Sequence, residues 1–86
     1  MIKISDYDSE ADAMYVQITD GNVLDSEEIA DGIIVDYDNN DNILGFELIE
    51  MEDITISSLK KLKSLLSPNT IAMLQEFNIF SHILCW

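Results

Sequence analysis

The sharpest chemical pattern in the chain is Asp36-x-Asp38-x-Asn40, with Glu47 eleven residues after Asp36. These oxygen donors fall on positions one, three, five and twelve of an EF-hand loop, whose oxygens enclose a calcium ion. The sixth position is Asp41, where such a loop uses glycine for its sharp turn, and the flanking residues read as strands, not helices. The run therefore describes a polar hairpin turn better than a calcium loop. Asp36, Asp38, Asn40 and Glu47 remain the metal candidates of a lesser alternative, a weak calcium-binding module.

Two further groupings have the residue types of a reactive site. Asp6, Asp8, Glu10 and Asp12 cluster around one turn. Paired carboxylates act as acid and base only when their surroundings push their pKa values apart, and no Arg or His lies nearby in sequence to do so. Turn formation, with Asp8 accepting from backbone N–H groups, is the expected role. His82 and Cys85 lie three residues apart. Two ligands fall short of the four of a structural zinc site, unless a dimer axis doubles them. They also lack the orienting third group of a catalytic pair. Gly21, Gly32 and Gly45 are isolated, so no phosphate-cradling loop is expected. The reading is a non-enzyme with no cofactor.

The elements that must position these residues begin as strands. Met1–Asp6 alternates Ile2 and Ile4 with Lys3 and Ser5, and Asp12–Thr19 alternates Met14, Val16 and Ile18 with Ala13, Tyr15 and Gln17; both have the two-residue period of a half-buried strand. Val23–Ile29 is ambiguous, with room for a short strand around Ser26–Ile29. Gly32–Asp38 is rich in β-branched residues. Asp38–Asn42 offers five turn formers, and Ile43–Met51 follows as a strand with Leu44, Phe46 and Leu48 on one face. Tyr7, Tyr15 and Tyr37 lie on or beside these strands, where sheet packing suits them.

The period then changes. Leu59, Leu62, Leu65 and Leu66 fall at helical spacing in Ser57–Leu66, with Lys60, Lys61 and Lys63 mostly off the stripe. Thr55, Ser57 or Ser58 caps its start. Ser67-Pro68 ends it and begins a second helix, with Ile71, Leu74 and Phe77 as its stripe. The expected fold class is α+β: an antiparallel β-meander of about four strands, then one or two C-terminal helices packed on one face. At 86 residues this is one domain, with an acidic β-meander over 1–53 and a helical, apolar extension over 54–86.

Charge narrows the partners. Net charge is −13 and there is no arginine; residues 1–53 carry 16 acids and one lysine, whereas 54–86 carry three lysines and one acid. Such a surface repels phosphate, so no direct nucleic-acid binding is expected. A basic protein is the favoured attraction. A lone Cys85 fits a reducing cytoplasm. No secretory signal is visible, and no apolar run reaches the ~20 residues of a membrane span. The expected localisation is cytoplasmic.

The motif Tyr7-Asp8-Ser9-Glu10-Ala11-Asp12-Ala13-Met14-Tyr15-Val16 resembles the signature of a family of small bacterial proteins, domain of unknown function 2283. The block from Glu27 through Asp38, and Gly45-Phe46-Glu47-Leu48, are similar to its later blocks. The resemblance covers roughly residues 1–52, and the chain departs from the pattern after about Asp53. It implies a compact β-meander with no established activity. It also implies a regulatory or antitoxin-like role, through members similar to partners encoded beside small toxin-like proteins.

The functional expectation is a small protein-binding or assembly module, homodimeric. The alternative is an antitoxin-like acidic inhibitor of a small basic toxin or nuclease. The nearly charge-free tail supplies the interface candidates Phe77, Phe80, Ile83, Leu84 and Trp86, since so apolar a stretch is unusual on a free surface.

Overall fold

The computed structural model describes residues 2–5 and 7–76. The metal candidates lie within them. The tail, with Phe77, Phe80, Ile83, Leu84 and Trp86, and with His82 and Cys85, lies outside the described residues.

Five strands form one antiparallel sheet: β1 (Lys3–Ile4), β2 (Met14–Gln17), β3 (Asp25–Ala30), β4 (Ile33–Tyr37) and β5 (Ile43–Leu48). The ambiguous stretch is thus a full strand. Strand order is β1-β2-β5-β4-β3. A meander of β3, β4 and β5 returns to the β1–β2 hairpin by placing its last strand beside β2. Val16 pairs with Phe46 and Phe46 with Val35, while Met14 pairs with Leu48 and Leu48 with Ile33. These rows carry Val16, Ile33, Val35 and Phe46 to zero exposure.

The turns are made by residues that tolerate a left-handed backbone. Gly32, expected as the first residue of a strand, instead sits in the β3–β4 turn at φ 84°. Asp41 occupies the same region at φ 62° in the β4–β5 turn, a conformation that Asp and Asn adopt more readily than most residues. Leu44 is buried but stands apart from the main core. The register shifts between Asp36 and Tyr37, so that Gly45 and Ile43 are their partners and Leu44 is the extra residue. That bulge breaks the alternation which would have aligned Leu44 with Phe46 and Leu48. Leu44 packs beneath Gly21 of the β2–β3 connection, where a Cβ would come within 2.6 Å of a Leu44 methyl.

A short 3-10 turn (Met51–Asp53) leads to two helices, α1 (Ile56–Leu65) and α2 (Pro68–Leu74). Thr55 caps α1 by accepting from the Ser58 N–H, and Ser67 caps α2 by accepting from the Thr70 N–H, with Pro68 opening the helix. Each cap contributes about 1 kcal/mol. Leu59, Leu62, Leu66 and Leu74 all join the sheet residues Met14, Val16, Ile33, Val35, Phe46 and Leu48 in one cluster. The helices therefore cover one face of the sheet. Among the described residues, no helix is long and apolar enough to cross a membrane.

Gly32→Ala is expected to lower unfolding free energy by about 1–3 kcal/mol. Besides the positive φ, the new Cβ would sit 2.8 Å from the Ile49 carbonyl oxygen. Leu62→Ala, which empties a fully buried site, is expected to cost about 2–5 kcal/mol. Urea denaturation of both variants measures this; wild-type stability for either contradicts the packing described.

Candidate functional site

Strand alternation leaves a second sheet face, carried by the residues between the core positions. Its register is continuous. One row crosses all five strands as Lys3, Gln17, Gly45, Asp36 and Ser26, and the next runs Tyr15, Glu47, Ile34 and Glu28. Every side chain in these rows is exposed or half-exposed. Among the described residues, these two rows hold three carboxylates and one cation, Lys3, on the edge strand β1.

At the centre of this face, β5 presents Gly45 and no side chain. Tyr15 of β2 lies across that gap: a Cβ on Gly45 would fall 2.5 Å from the Tyr15 Oη and 2.9 Å from its Cζ. The hydroxyl thereby reaches β4, donating to Asp36 Oδ2 at 2.9 Å. Ser26 of β3 donates to Asp36 Oδ1 at 2.6 Å. One carboxylate thus accepts from both sides and ties together strands that are not neighbours. Desolvation, then the hydrogen bond to Asp36, pushes the Tyr15 phenol up to about 12. Sequence reasoning missed this network because residues 15, 26, 36 and 45 come together only through strand order.

The acidic turn at the start of the family-like motif is a backbone clamp. Asp8 Oδ1 accepts from the Glu10 and Ala11 N–H groups, and Asp8 and Ala13 exchange backbone bonds at 2.8 and 3.1 Å. Asp12, at φ 50°, accepts the Tyr7 hydroxyl on Oδ1 and the Glu52 N–H on Oδ2 at 2.9 Å. Its carbonyl accepts the Met51 N–H at 3.0 Å. The first hairpin is thereby pinned to the segment leaving β5. The Tyr7 hydrogen bond, then the Glu52 N–H, holds the Asp12 carboxyl below the usual aspartate range.

Of the calcium candidates, Asp36 and Glu47 stand in adjoining rows of the second sheet face, and Asp38 and Asn40 belong to the β4–β5 turn. Asp36 is engaged by Tyr15 and Ser26. Asp38 accepts from the N–H groups of Asn42 and Asn40 and from the Asn42 side chain, which hold its carboxyl below the usual range. Asn40 therefore contributes its backbone to the turn, and Glu47 lies between Tyr15 and Ile34 on the sheet. Among the described residues, no three His, Cys, Asp or Glu side chains are placed to hold a metal ion.

Two titrations check this geometry. Asp12 has a lowered folded pKa, so its contribution is present above the unfolded value and is lost as pH falls through the folded one. The stability gap between wild type and Asp12→Asn should therefore narrow as pH drops below about 4; a gap that is constant from neutral to acid pH contradicts the clamp. Tyr15 has a raised pKa, so its contribution holds below about 10 and is lost as pH rises toward about 12. Phenolate absorbance, assigned by Tyr15→Phe, should show this late ionisation in wild type. In Gly45→Ala the added Cβ meets both the Tyr15 hydroxyl and the Val16 carbonyl oxygen, each 2.5 Å away. The ring is displaced, the β2–β5 pairing is strained, and ionisation should return toward about 10.

No curated protein and no solved structure matches the chain. The family described as "Protein of unknown function (DUF2283)" matches residues 5–57, from the Tyr7–Asp12 turn through the sheet to the first turn of α1. The chain belongs to this family of unknown function.

Proposed function

We propose that this chain is a non-catalytic protein-binding module. The observation that carries the reading is one-sided packing: all buried helix residues join one cluster, while the rows around Tyr15, Ile34 and Asp36 stay half-exposed. A further support is that two carboxylates of the first acidic turn, and one of the β4–β5 turn, are engaged in holding backbone. Asp8, Asp12 and Asp38 all accept from backbone N–H groups.

Self-association in this reading belongs to the helical side. Ile56, Leu65 and Met73 are exposed there, beside Lys60 and Lys61, whereas two acidic sheet faces repel one another. The second reading, an acidic inhibitor of a small basic protein, is favoured by the charge of −13. It gains from electrostatic steering, which accelerates encounter at low salt.

Affinity capture from the native host, followed by mass spectrometry, is expected to recover a specific partner that salt displaces. Recovery of none above a charge-matched control contradicts the binding reading. Light scattering is expected to give a dimer; a monomer that persists at high micromolar concentration rejects self-association.

A further inference from the structure

We propose that the open sheet face docks a cationic protein segment, with a Lys or Arg side chain seated on the Tyr15 ring between Glu47 and the edge of Ile34. This rests on the protein-binding reading and assigns it a surface.

The row Tyr15, Glu47, Ile34, Glu28 alternates aromatic, acid, aliphatic and acid across neighbouring strands. Opposite charges are the favourable cross-strand arrangement, yet no lysine stands in this row. Glu47 and Glu28 sit two strand spacings apart, roughly 10 Å. Among the described residues, neither carboxylate takes part in a side-chain hydrogen bond or ion pair. Asp36 is different: both its oxygens already accept, from Tyr15 and Ser26. Its role is to hold the ring, and the two glutamates are left to meet charge from outside.

The ring itself is arranged for contact. Because Gly45 lacks a side chain, Tyr15 lies over the sheet instead of standing on it. A ring lying this way offers its electron-rich face outward, where a guanidinium or ammonium group stacks favourably. Ile34 supplies apolar surface for the aliphatic stem of such a side chain. A second copy of this chain fits poorly, since a symmetric contact would press this face, with its unpaired Glu47 and Glu28, against the same acidic face of the partner. The complementary segment presents cations about 10 Å apart, which corresponds to about seven residues along a helix.

The test uses a capped, alanine-rich helical peptide with arginine at every seventh position, and a control peptide with glutamine at those positions. Both are titrated into the full-length protein and followed by nitrogen–proton NMR at low salt. The arginine peptide is expected to shift the amides of Tyr15, Ile34 and Glu47 saturably, with little effect from the control. Glu28→Gln/Glu47→Gln, which alters no buried residue, should weaken binding about fivefold or more, and Tyr15→Leu should weaken it further. Shifts centred on residues 7–12 or 38–41, or equal binding by the double variant, would overturn the proposal. Concentration-dependent shifts of the same face without peptide assign it to self-association and also overturn it. A host partner that binds the double variant as well as wild type leaves the module reading standing and removes this face from it.

Discussion

The structure depends on one strand. Of the described strands, β5 is the last in sequence and the middle one in the sheet, with β2 on one side and β4 on the other. Until it pairs, the β1–β2 hairpin and the β3–β4 hairpin share no hydrogen-bonded edge. Its inward residues Phe46 and Leu48 are at most 1% exposed, and each pairs with core residues on both sides. Non-local pairing of this kind carries a loop-closure cost before it returns any burial. The clamp from Asp12 to residues 51 and 52 acts where that closure must hold, joining the first hairpin to the exit of β5.

The same strand sets the character of the open face. A glycine in a strand interior weakens the strand and marks a close approach by another group. At Gly45 the approaching group is Tyr15, and the Val16 carbonyl oxygen also lies only 2.5 Å from where a Cβ would be. The tyrosine covers the glycine, Asp36 holds the tyrosine, and Ser26 holds Asp36. The surface becomes a ring-centred platform whose remaining charge is negative. The helices, which take their leucines to the opposite face, leave that platform accessible.

Much of this was legible in the residues. Alternation sets Met14 and Val16 on one face with Tyr15 and Gln17 on the other, and the structure keeps that division because a two-residue period needs no knowledge of partners. The helices are readable from local signals with one exception: Leu59, Leu62 and Leu66 of the stripe are buried but Leu65 is exposed. Thr55 is the cap among the three candidates, and Ser67-Pro68 opens α2. Ser26–Ile29 was ambiguous because an acidic edge strand such as β3 has little hydrophobic alternation to display. Leu44 was set with Phe46 by alternation, and a bulge that only the pairing of β4 with β5 reveals moved it. The Tyr15–Asp36 bond was illegible for the deepest reason. It is written in the order of the strands, and no spacing along the chain encodes that order.

The central claim is that the face built around Tyr15, opposite the helices, is the one that works. Its most direct measurement is site-specific photo-crosslinking in the native host, with the crosslinker placed at Ile34 on the open face or at Lys60 on α1. The account predicts an adduct with a different host protein from position 34, whereas position 60, on the self-associating side, gives only a crosslink to a second copy of this chain. A host adduct from position 60 alone would contradict it.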